Sequence, residues 1–501
     1  MSNIYSATIT KINEVFMQVD CEPSLAAELY HHFSFHPNGY QFSPKYKARV
    51  WDGYIRMYNI RERKMYAGLF HQLVQYLQDN GYSYRVQDNG YYGRIDEELN
   101  IDFTEFCAWV KNLTIKSNGK DIIPRDFQLL SAYESIKYQR LVTLSPTASG
   151  KSLILYIIFM YILHHKLCRK ILLIFPSTGL IHQMANDFAE YSAGNVSTDN
   201  FIHCIYSGQD KKSNKPIHFS TFQSLYKLPG SFYDTYDCVA GDEIHLAHSS
   251  SYVTILENCR DVKFRFGFTG TLSSKNKTHR LVVQGLLGQA KQFTTTAELI
   301  ERKDASDINI TCVILDYSDE TKSANKKTKY AQEFALICNH ARRNNFIKKL
   351  AIDLKGNTLI LFQFKEQGKI LYNLIKEEYD KVLYIDGDIG ATKREEIRQY
   401  LETVDDAIIL ASYGTTSTGW SVRNLHNGIF ASPYKSESKV LQSLGRGLRK
   451  HDSKDVFKLY DIVDDLSWKQ RENYTLQHFS ERVAYYAKDS LPYKIIRVKI
   501  E

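Results

Sequence analysis

The sequence has no long apolar run. Its longest, Leu153 to Leu163, falls well short of the ~20 residues a membrane span needs, and His164, His165 and Lys166 follow it directly. The N-terminus (MSNIYSATITKINEVF) lacks a continuous apolar segment of signal-peptide type. Both absences predict a soluble protein that stays where it is made. Cysteine is scattered, at 21, 107, 168, 204, 238, 259, 312 and 338, with no CxxC pair and no histidine at zinc spacing beside two of them. That argues against a zinc site or a disulfide framework, and for small buried hydrophobes in a reducing compartment. Fixed-period repeats and low-complexity segments are absent as well, which excludes solenoids and disordered tracts.

What is present is ordinary globular composition, 43% hydrophobic and 24% charged over 501 residues. At about 150 residues per domain this predicts three domains, give or take one. The net charge of +8 is the difference of 64 basic and 56 acidic residues, so its placement matters more than its sum. Tyrosine is abundant, 35 against 26 Phe. That suits base stacking, although half-buried Tyr at domain surfaces is the plainer reading for most.

Three regions differ in texture. Residues 1 to about 115 mix short strand-like and helix-like pieces, with helices expected over Ala67–Asn80 and Asp102–Leu113. Within this region residues 45–64 hold seven Lys/Arg against Asp52 and Glu62, interleaved with Tyr46, Trp51, Tyr54 and Tyr58. This stretch reads either as a duplex- or junction-binding surface or as an edge strand guarded by cations, with Trp51-Asp52-Gly53 as a turn. From about 120 to 300, short apolar strands (171–175, 217–220, 237–241, 264–268) alternate with helical patterns, which predicts a parallel sheet covered on both faces. The pattern restarts after a polar stretch at 318–329, with strands expected at 358–364, 381–385, 407–411 and 428–431. Two tandem α/β domains joined by a linker follow. A second basic stretch, 321–350, carries eight Lys/Arg against Glu333 and is equally a solvated face or a nucleic-acid contact.

The chemistry is concentrated after strand-like residues 141–144. Ser145-Pro-Thr-Ala-Ser-Gly-Lys-Ser152 then leads into a long apolar helix, which is a phosphate-binding loop in its required strand–turn–helix context. Gly150 lets backbone N–H groups approach phosphate, Lys151 can reach the β- and γ-phosphates, and Ser152 can ligate Mg²⁺. Ser145 stands where the pattern has Gly. Downstream, Asp242-Glu243-Ile244-His245 ends a strand, so that Asp242 can hold Mg²⁺ through water and Glu243 can polarise the attacking water.

With these residues the chain resembles a superfamily 2 helicase of the DExH type over about 120–465. Arg125-Asp-Phe-Gln128 resembles the adenine-reading Q motif, and Phe175-Pro-Ser-Thr-Gly-Leu180 with Gln183 resembles motif Ia. Ser220-Thr-Phe-Gln223 resembles the DNA-contacting motif that follows, and Thr269-Gly-Thr271 matches motif III. In the second domain Leu361–Phe364 resembles motif IV, Ser412–Ser421 resembles motif V with Ser421 in place of the frequent Asp, and Gln442–Arg449 (QSLGRGLR) is a full motif VI. Phe33-Ser-Phe35, Trp51-Asp-Gly53, Tyr413-Gly414 and Leu448-Arg-Lys-His451 extend the resemblance to the tailed-phage UvsW helicases.

That resemblance implies an α/β fold of two tandem RecA-like domains behind a small α+β accessory domain. The expected divisions are 1–115 (accessory), 116–305 (ATP-binding RecA-like domain 1), 306–465 (RecA-like domain 2) and 466–501 (helical tail). It implies an ATP cleft made from both RecA-like domains. ATP contacts would come from Phe127, Gln128, Thr147, Ser149, Gly150, Lys151, Ser152 and Gly419, and Mg²⁺ would be held by Ser152 and Asp242. Catalysis would fall to Lys151, Asp242, Glu243, Arg446 and Arg449, with Arg449 as the transition-state finger. DNA would be met by Thr178, Thr221, Gln223 and Ser412, and by Arg49, Trp51 and Arg56 of the accessory domain. The implied activity is ATP-driven unwinding and branch migration of forks, Holliday junctions and R-loops, by a monomer in the cytoplasm of the infected bacterial host, with no membrane partner. Phage single-strand-binding or recombination proteins are the implied partners. A duplex translocase, an RNA helicase and a junction binder with a vestigial ATPase are the alternatives. The absence of a nuclease constellation weakens the first, and intact motor residues weaken the last.

Overall fold

The computed structural model describes residues 5–117, 119–247, 249–270, 272, 276–417, 422–433, 440, 443–445, 447–448, 451 and 453–500. The chain divides into two compact units, Met1–Ser145 with Gly150–Phe293, and Pro146–Ser149 with Thr294–Glu501.

The first unit opens with a small α+β layer. Strands β1 (Ala7–Lys11), β2 (Phe16–Cys21), β5 (Tyr58–Asn59), β6 (Lys64–Tyr66) and β7 (Tyr84–Gln87) form one sheet in the order β5-β6-β2-β1-β7, while β3 (Ser34–Phe35) and β4 (Ile55–Arg56) pair separately. Alternation along β1 and β2 buries Ala7, Ile9, Met17 and Val19 on one face, where they meet Leu25 and Leu29 of one helix and Leu73 and Leu77 of another. The second of these helices is Phe70–Asp79, preceded by a 3₁₀ turn over Ala67–Leu69.

This layer is built into the motor sheet that follows. The β1–β2 turn buries Val15 among Val142, Val283 and Leu286. Glu14 pairs with Lys11 at 2.7 Å and with Arg140 at 2.8 Å. A methyl group on Gly68 would lie 2.1 Å from the Gln284 carbonyl, so the two layers meet backbone to backbone. Helix Phe103–Asn112, expected in the accessory region ahead of a boundary at 115, sends Phe106 and Val110 into the motor core beside Tyr161. Its apolar face is satisfied only there.

After the hairpin β8 (Lys116–Ser117) and β9 (Lys120–Asp121) come β10 (Arg140–Leu144), β11 (Ile171–Phe175), β12 (Ile202–Ile205), β13 (Ile217–Thr221), β14 (Cys238–Asp242), β15 (Phe264–Thr269) and β16 (Ala290–Gln292). These seven are parallel, in the order β12-β13-β11-β14-β15-β10-β16. The apolar run 153–163 lies in helix Lys151–His164, buried on nearly all sides by neighbouring helices and the sheet. No helix among the described residues is long and apolar enough to cross a membrane.

The second unit repeats the plan. Strands β17 (Asp307–Asp316), β18 (Thr358–Phe362), β19 (Val382–Ile385), β20 (Ile408–Ser412), β21 (Asn427–Phe430), β22 (Val456–Asp465) and β23 (Tyr493–Lys499) are parallel in the order β19-β20-β18-β21-β22-β17-β23. Position for position this is the order of the first motor sheet. The architecture is two RecA-like domains in tandem behind a small N-terminal layer.

Two expectations are corrected. The polar stretch 318–329 is not a linker, because β17 precedes it and residues 319–324 form a helix within the second unit. Exposed Asp307 and Asn309 break the apolar run that would have marked β17. The segment after 465 is not a purely helical tail either. Helix Tyr474–Lys488 is followed by β23, which pairs in parallel with β17 at the sheet's edge. As an edge strand (YKIIRVK) it is cationic and largely exposed, so it has no buried-strand signature.

Candidate active site

The loop between β10 and helix Lys151–His164 holds two residues in the left-handed region. Gly150 sits at φ 80° and Ala148 at φ 71°, the left-handed conformation that a non-glycine residue adopts only at some cost. Ser145 is absent from the positive-φ positions, so the first place of the motif needs no glycine. Its N–H donates to the Thr269 carbonyl at 2.8 Å, tying the loop to the end of β15. Ser149 Oγ donates to the Pro146 carbonyl at 2.7 Å, and Thr147 between them is half-buried.

Gln128 is buried at the foot of this loop. Its Oε1 accepts from the Arg125 N–H at 2.9 Å, and a Cβ on Gly150 would lie 2.4 Å from its Nε2. Phe127 is buried too, with its N–H donating to Asp126 Oδ1. Gln128 therefore braces the loop on which the phosphate site is built, and Phe127 is buried beside it in the same helix.

Asp242 closes β14, and Glu243 follows at φ 51°. Lys151 Nζ lies 2.8 Å from Glu243 Oε1 and 4.0 Å from Asp242 Oδ1. His245 Nδ1 is 3.2 Å from Glu243 Oε2 and 3.1 Å from Thr269 Oγ1. These distances explain how the two neighbouring carboxyls part. Burial pushes Asp242 up to about 6 against the pull of the more distant Lys151. Burial also opposes the Glu243 charge, but the close Lys151 ammonium and the His245 hydrogen bond outweigh it and hold Glu243 below the usual carboxylate range. One carboxyl is thus held ionised by its close partners, beside a second that burial pushes upward.

The residues fit a magnesium nucleotide. A left-handed glycine opens the backbone at the start of a helix, and a half-buried lysine and a carboxyl–hydroxyl pair supply the matching charge. Mg²⁺ characteristically takes one or two carboxylates and completes its shell with water and substrate phosphate. The Ser152 hydroxyl lies 2.8 Å from Tyr191 OH, at the end of helix Thr178–Tyr191. Tyr191 was missed in the sequence, because no motif marks a contact 39 residues away.

The expected nucleic-acid residues fall at strand ends. Phe175 of β11 and Thr221 of β13 are register partners, so Thr178, opening the helix after β11, and Thr221, closing β13, follow neighbouring strands at the same end of the sheet. Thr221 Oγ1 meets Ser224 Oγ at 2.9 Å, and Gln223 Nε2 donates to the Pro176 carbonyl at 3.4 Å, linking the loops. Ser412 ends β20, where its Oγ meets Thr415 Oγ1 at 2.7 Å. In the accessory layer Trp51 and Arg56 are already engaged. Trp51 Nε1 donates to the Tyr54 carbonyl at 2.8 Å, and Arg56 pairs with Asp52 and lies over the Tyr30 ring. Arg49 is exposed. The 321–350 stretch spends part of its charge inside its own unit, through Lys322–Asp316, Arg343–Asp464 and Lys348–Glu378. Thr271, Gly419, Gln442, Arg446 and Arg449 lie outside the described residues.

Comparison with known proteins agrees with this arrangement. Residues 121–274 match the family model "Type III restriction enzyme, res subunit", and residues 12–87 match "DNA helicase UvsW, N-terminal". The ATP-dependent DNA helicase uvsW of Enterobacteria phage T4 is 32% identical over 498 residues, covering 97% of this chain and 98% of that protein. The chain belongs to the UvsW helicase family. As a member of it, the protein is an ATP-hydrolysing helicase. The crystal structure of T4 UvsW matches with a TM-score of 0.53 at 31% identity, over 99% of this chain and 100% of that one. The more distant Saccharomyces cerevisiae Dbp5, bound to RNA and ADP BeF3, matches with a TM-score of 0.51 at 11% identity, over 75% of this chain and 94% of that one, and shares the fold. Lys151, Ser152, the DEIH carboxylates and the N-terminal layer all belong to the first unit of this chain.

Proposed function

We propose that the protein is an ATP- and Mg²⁺-dependent DNA helicase that unwinds and branch-migrates forks, Holliday junctions and R-loops during phage recombination, repair and replication. The observation that carries this reading is the end-to-end relationship to the T4 DNA helicase, with Lys151, Asp242 and Glu243 intact and gathered within 4.0 Å of one another through Lys151. When bound, the magnesium nucleotide supplies the phosphoanhydride and a cation to neutralise its charge.

This chain's residues do the rest. Lys151 exchanges its Glu243 partner for phosphate oxygens, which frees the Glu243 carboxylate to orient and deprotonate water. Ser152 and Asp242 hold the cation, and backbone N–H groups around Ser149 and Gly150 bind phosphate. Phe127 and Gln128 fix the loop against the adenine side, and Thr147 and Gly419 complete the nucleotide contacts. Arg446 and Arg449 are assigned to the γ-phosphate by their motif, with Arg449 meeting the charge that develops in the transition state. Thr269 transmits the change, because its carbonyl holds the P-loop and its hydroxyl holds His245. Thr178, Thr221, Gln223 and Ser412 contact DNA phosphates without reading sequence. The accessory layer holds the branched part of the substrate, with Arg49 at its surface and Trp51 and Arg56 shaping the turn. The protein acts as a monomer in the host cytoplasm alongside phage single-strand-binding or recombination proteins.

Steady-state ATP hydrolysis by wild type and Glu243→Gln tests this, with no nucleic acid, single strands, duplex, RNA and a synthetic four-way junction. Strong stimulation by the junction, lost in the variant, is expected. Stimulation by RNA alone would overturn the DNA assignment, and by duplex alone would favour a translocase.

A further inference from the structure

We propose that residues 42–50 of the accessory layer form a rigid wedge that enters DNA at the branch point, with Phe42 and Val50 inserted between base pairs. The proposal rests on the junction-DNA reading above and assigns the part that separates strands. Phe42 is 77% exposed and Val50 79% exposed. Among the described large apolar side chains only Tyr91 and Ile123 are more exposed, and neither shares a segment with another such residue flanked by cations. Lys45, Lys47 and Arg49, all exposed, lie between Phe42 and Val50.

The tip is held from below. A 3₁₀ turn (Tyr40–Phe42) and a short helical turn (Pro44–Lys47) fold back so that the Val50 N–H donates to the Lys45 carbonyl at 3.0 Å. Its neighbours are packed rings: the His36 ring centroid lies 4.0 Å from that of Tyr40, stacked, and 3.8 Å from that of Tyr54, tilted, and Tyr40 meets Tyr46 edge-on at 4.9 Å. Gly53 lets this stack close, since a Cβ there would fall 2.6 Å from the Tyr40 ring, at φ 86°. Trp51, the aromatic that the sequence singles out, belongs to this support through its bond to the Tyr54 carbonyl. Two apolar side chains in water, with three exposed cations between them in the sequence, match the chemistry of a partly unstacked base step. Apolar insertion offsets the unstacking, and the cations take the flanking phosphates.

The test places 2-aminopurine at the branch step of a four-way junction, or well inside one arm. The proteins are wild type, Phe42→Ala/Val50→Ala and the conservative Phe42→Tyr/Val50→Ile. Wild type is expected to raise fluorescence at the branch step and not inside the arm, the alanine pair to lose that rise, and the conservative pair to restore it. Base pairs opened per ATP hydrolysed should fall about tenfold in the alanine pair, the worth of one lost stacking contact. Equal fluorescence and equal coupling in wild type and the alanine pair would overturn the wedge alone and leave the exposed pair to a protein partner. No branch-step signal from a wild type whose ATP hydrolysis the junction stimulates would likewise overturn the wedge alone, whereas absence of both signal and stimulation would overturn the reading beneath it.

Discussion

The two motor sheets have the same strand order but use buried charge in opposite ways. In the second, two buried arginines on helices each take one carboxylate of β22: Arg343 with Asp464 at 2.7 Å and Arg482 with Asp461 at 2.8 Å, with all four side chains at most 1% exposed. Tyr317 and Tyr486 donate to the same two aspartates. In the first, Lys151 faces two adjacent carboxyls that differ in distance and therefore in charge. One topology thus carries a sealed pair where it needs a wall and an unequal triad where it needs chemistry. The strand ends, and not the sheet, decide which.

The largest expected effect removes the unequal triad's working member. Glu243→Gln should lower ATP hydrolysis by about 10²–10⁴-fold, the range for a general base. Its melting temperature should stay close to wild type, because Lys151 keeps Asp242 nearby. A melting temperature that collapses with the activity would make the triad structural and erase the contrast between the sheets.

The second effect lies on the sealed side. Arg482→Met leaves Asp461 charged and buried, and should destabilise the second unit by about 3–5 kcal/mol. Arg482→Met/Asp461→Leu should recover most of that loss, since a packed apolar pair replaces the ions at little net cost. Urea unfolding of the three proteins measures this. A double variant no more stable than the single one would mean that the pair does more than fill space.

How far the sequence reveals all this follows the same division. Strands β11, β14 and β18 are legible because both their faces are buried and they read as unbroken apolar runs. Strand β23 is not, because an edge strand with exposed Ile495 and Ile496 between cations looks like a solvated tail. The triad is legible because phosphate chemistry demands particular residue types at fixed places near a P-loop. The Arg343–Asp464 pair is invisible, since two residues 121 apart in the chain announce nothing until the helix and strand pack. Ser412 and Thr221 show the middle case. Each looks like an isolated hydroxyl in sequence, yet they end topologically equivalent strands, β20 and β13.

A smaller effect is a divergence with pH. Burial pushes the Asp242 carboxyl up to about 6 in the folded protein, above the ~3.9 of an unfolded aspartate. The protonated form is therefore favoured by folding, and the ionised form costs stability above pH 6. Lowering the pH through 6 should remove that cost while weakening the grip on Mg²⁺. Hydrolysis at limiting Mg²⁺ should then fall between pH 7 and pH 5, with no loss of stability from this group, and added Mg²⁺ should shift the midpoint downward. Glu243, held below the ordinary range, should contribute nothing in this window. A midpoint insensitive to Mg²⁺ would assign the titration elsewhere.

The smallest effect concerns the contact the sequence hides. A serine that ligates a cation through its oxygen must turn its proton away, and Tyr191 OH at 2.8 Å is placed to accept it. Tyr191→Phe removes the acceptor, at a typical net worth of about 0.5–1.5 kcal/mol, or roughly two- to tenfold in the Mg²⁺ needed for half-maximal hydrolysis. The rate at saturating Mg²⁺ should change less, because the reacting phosphate is untouched. In a Ser152→Ala background the same substitution should have no further effect on Mg²⁺ dependence, since there is no hydroxyl left to orient. An undiminished effect in that background would place Tyr191 in packing against Tyr156, 5.5 Å away, and leave Ser152 to orient itself.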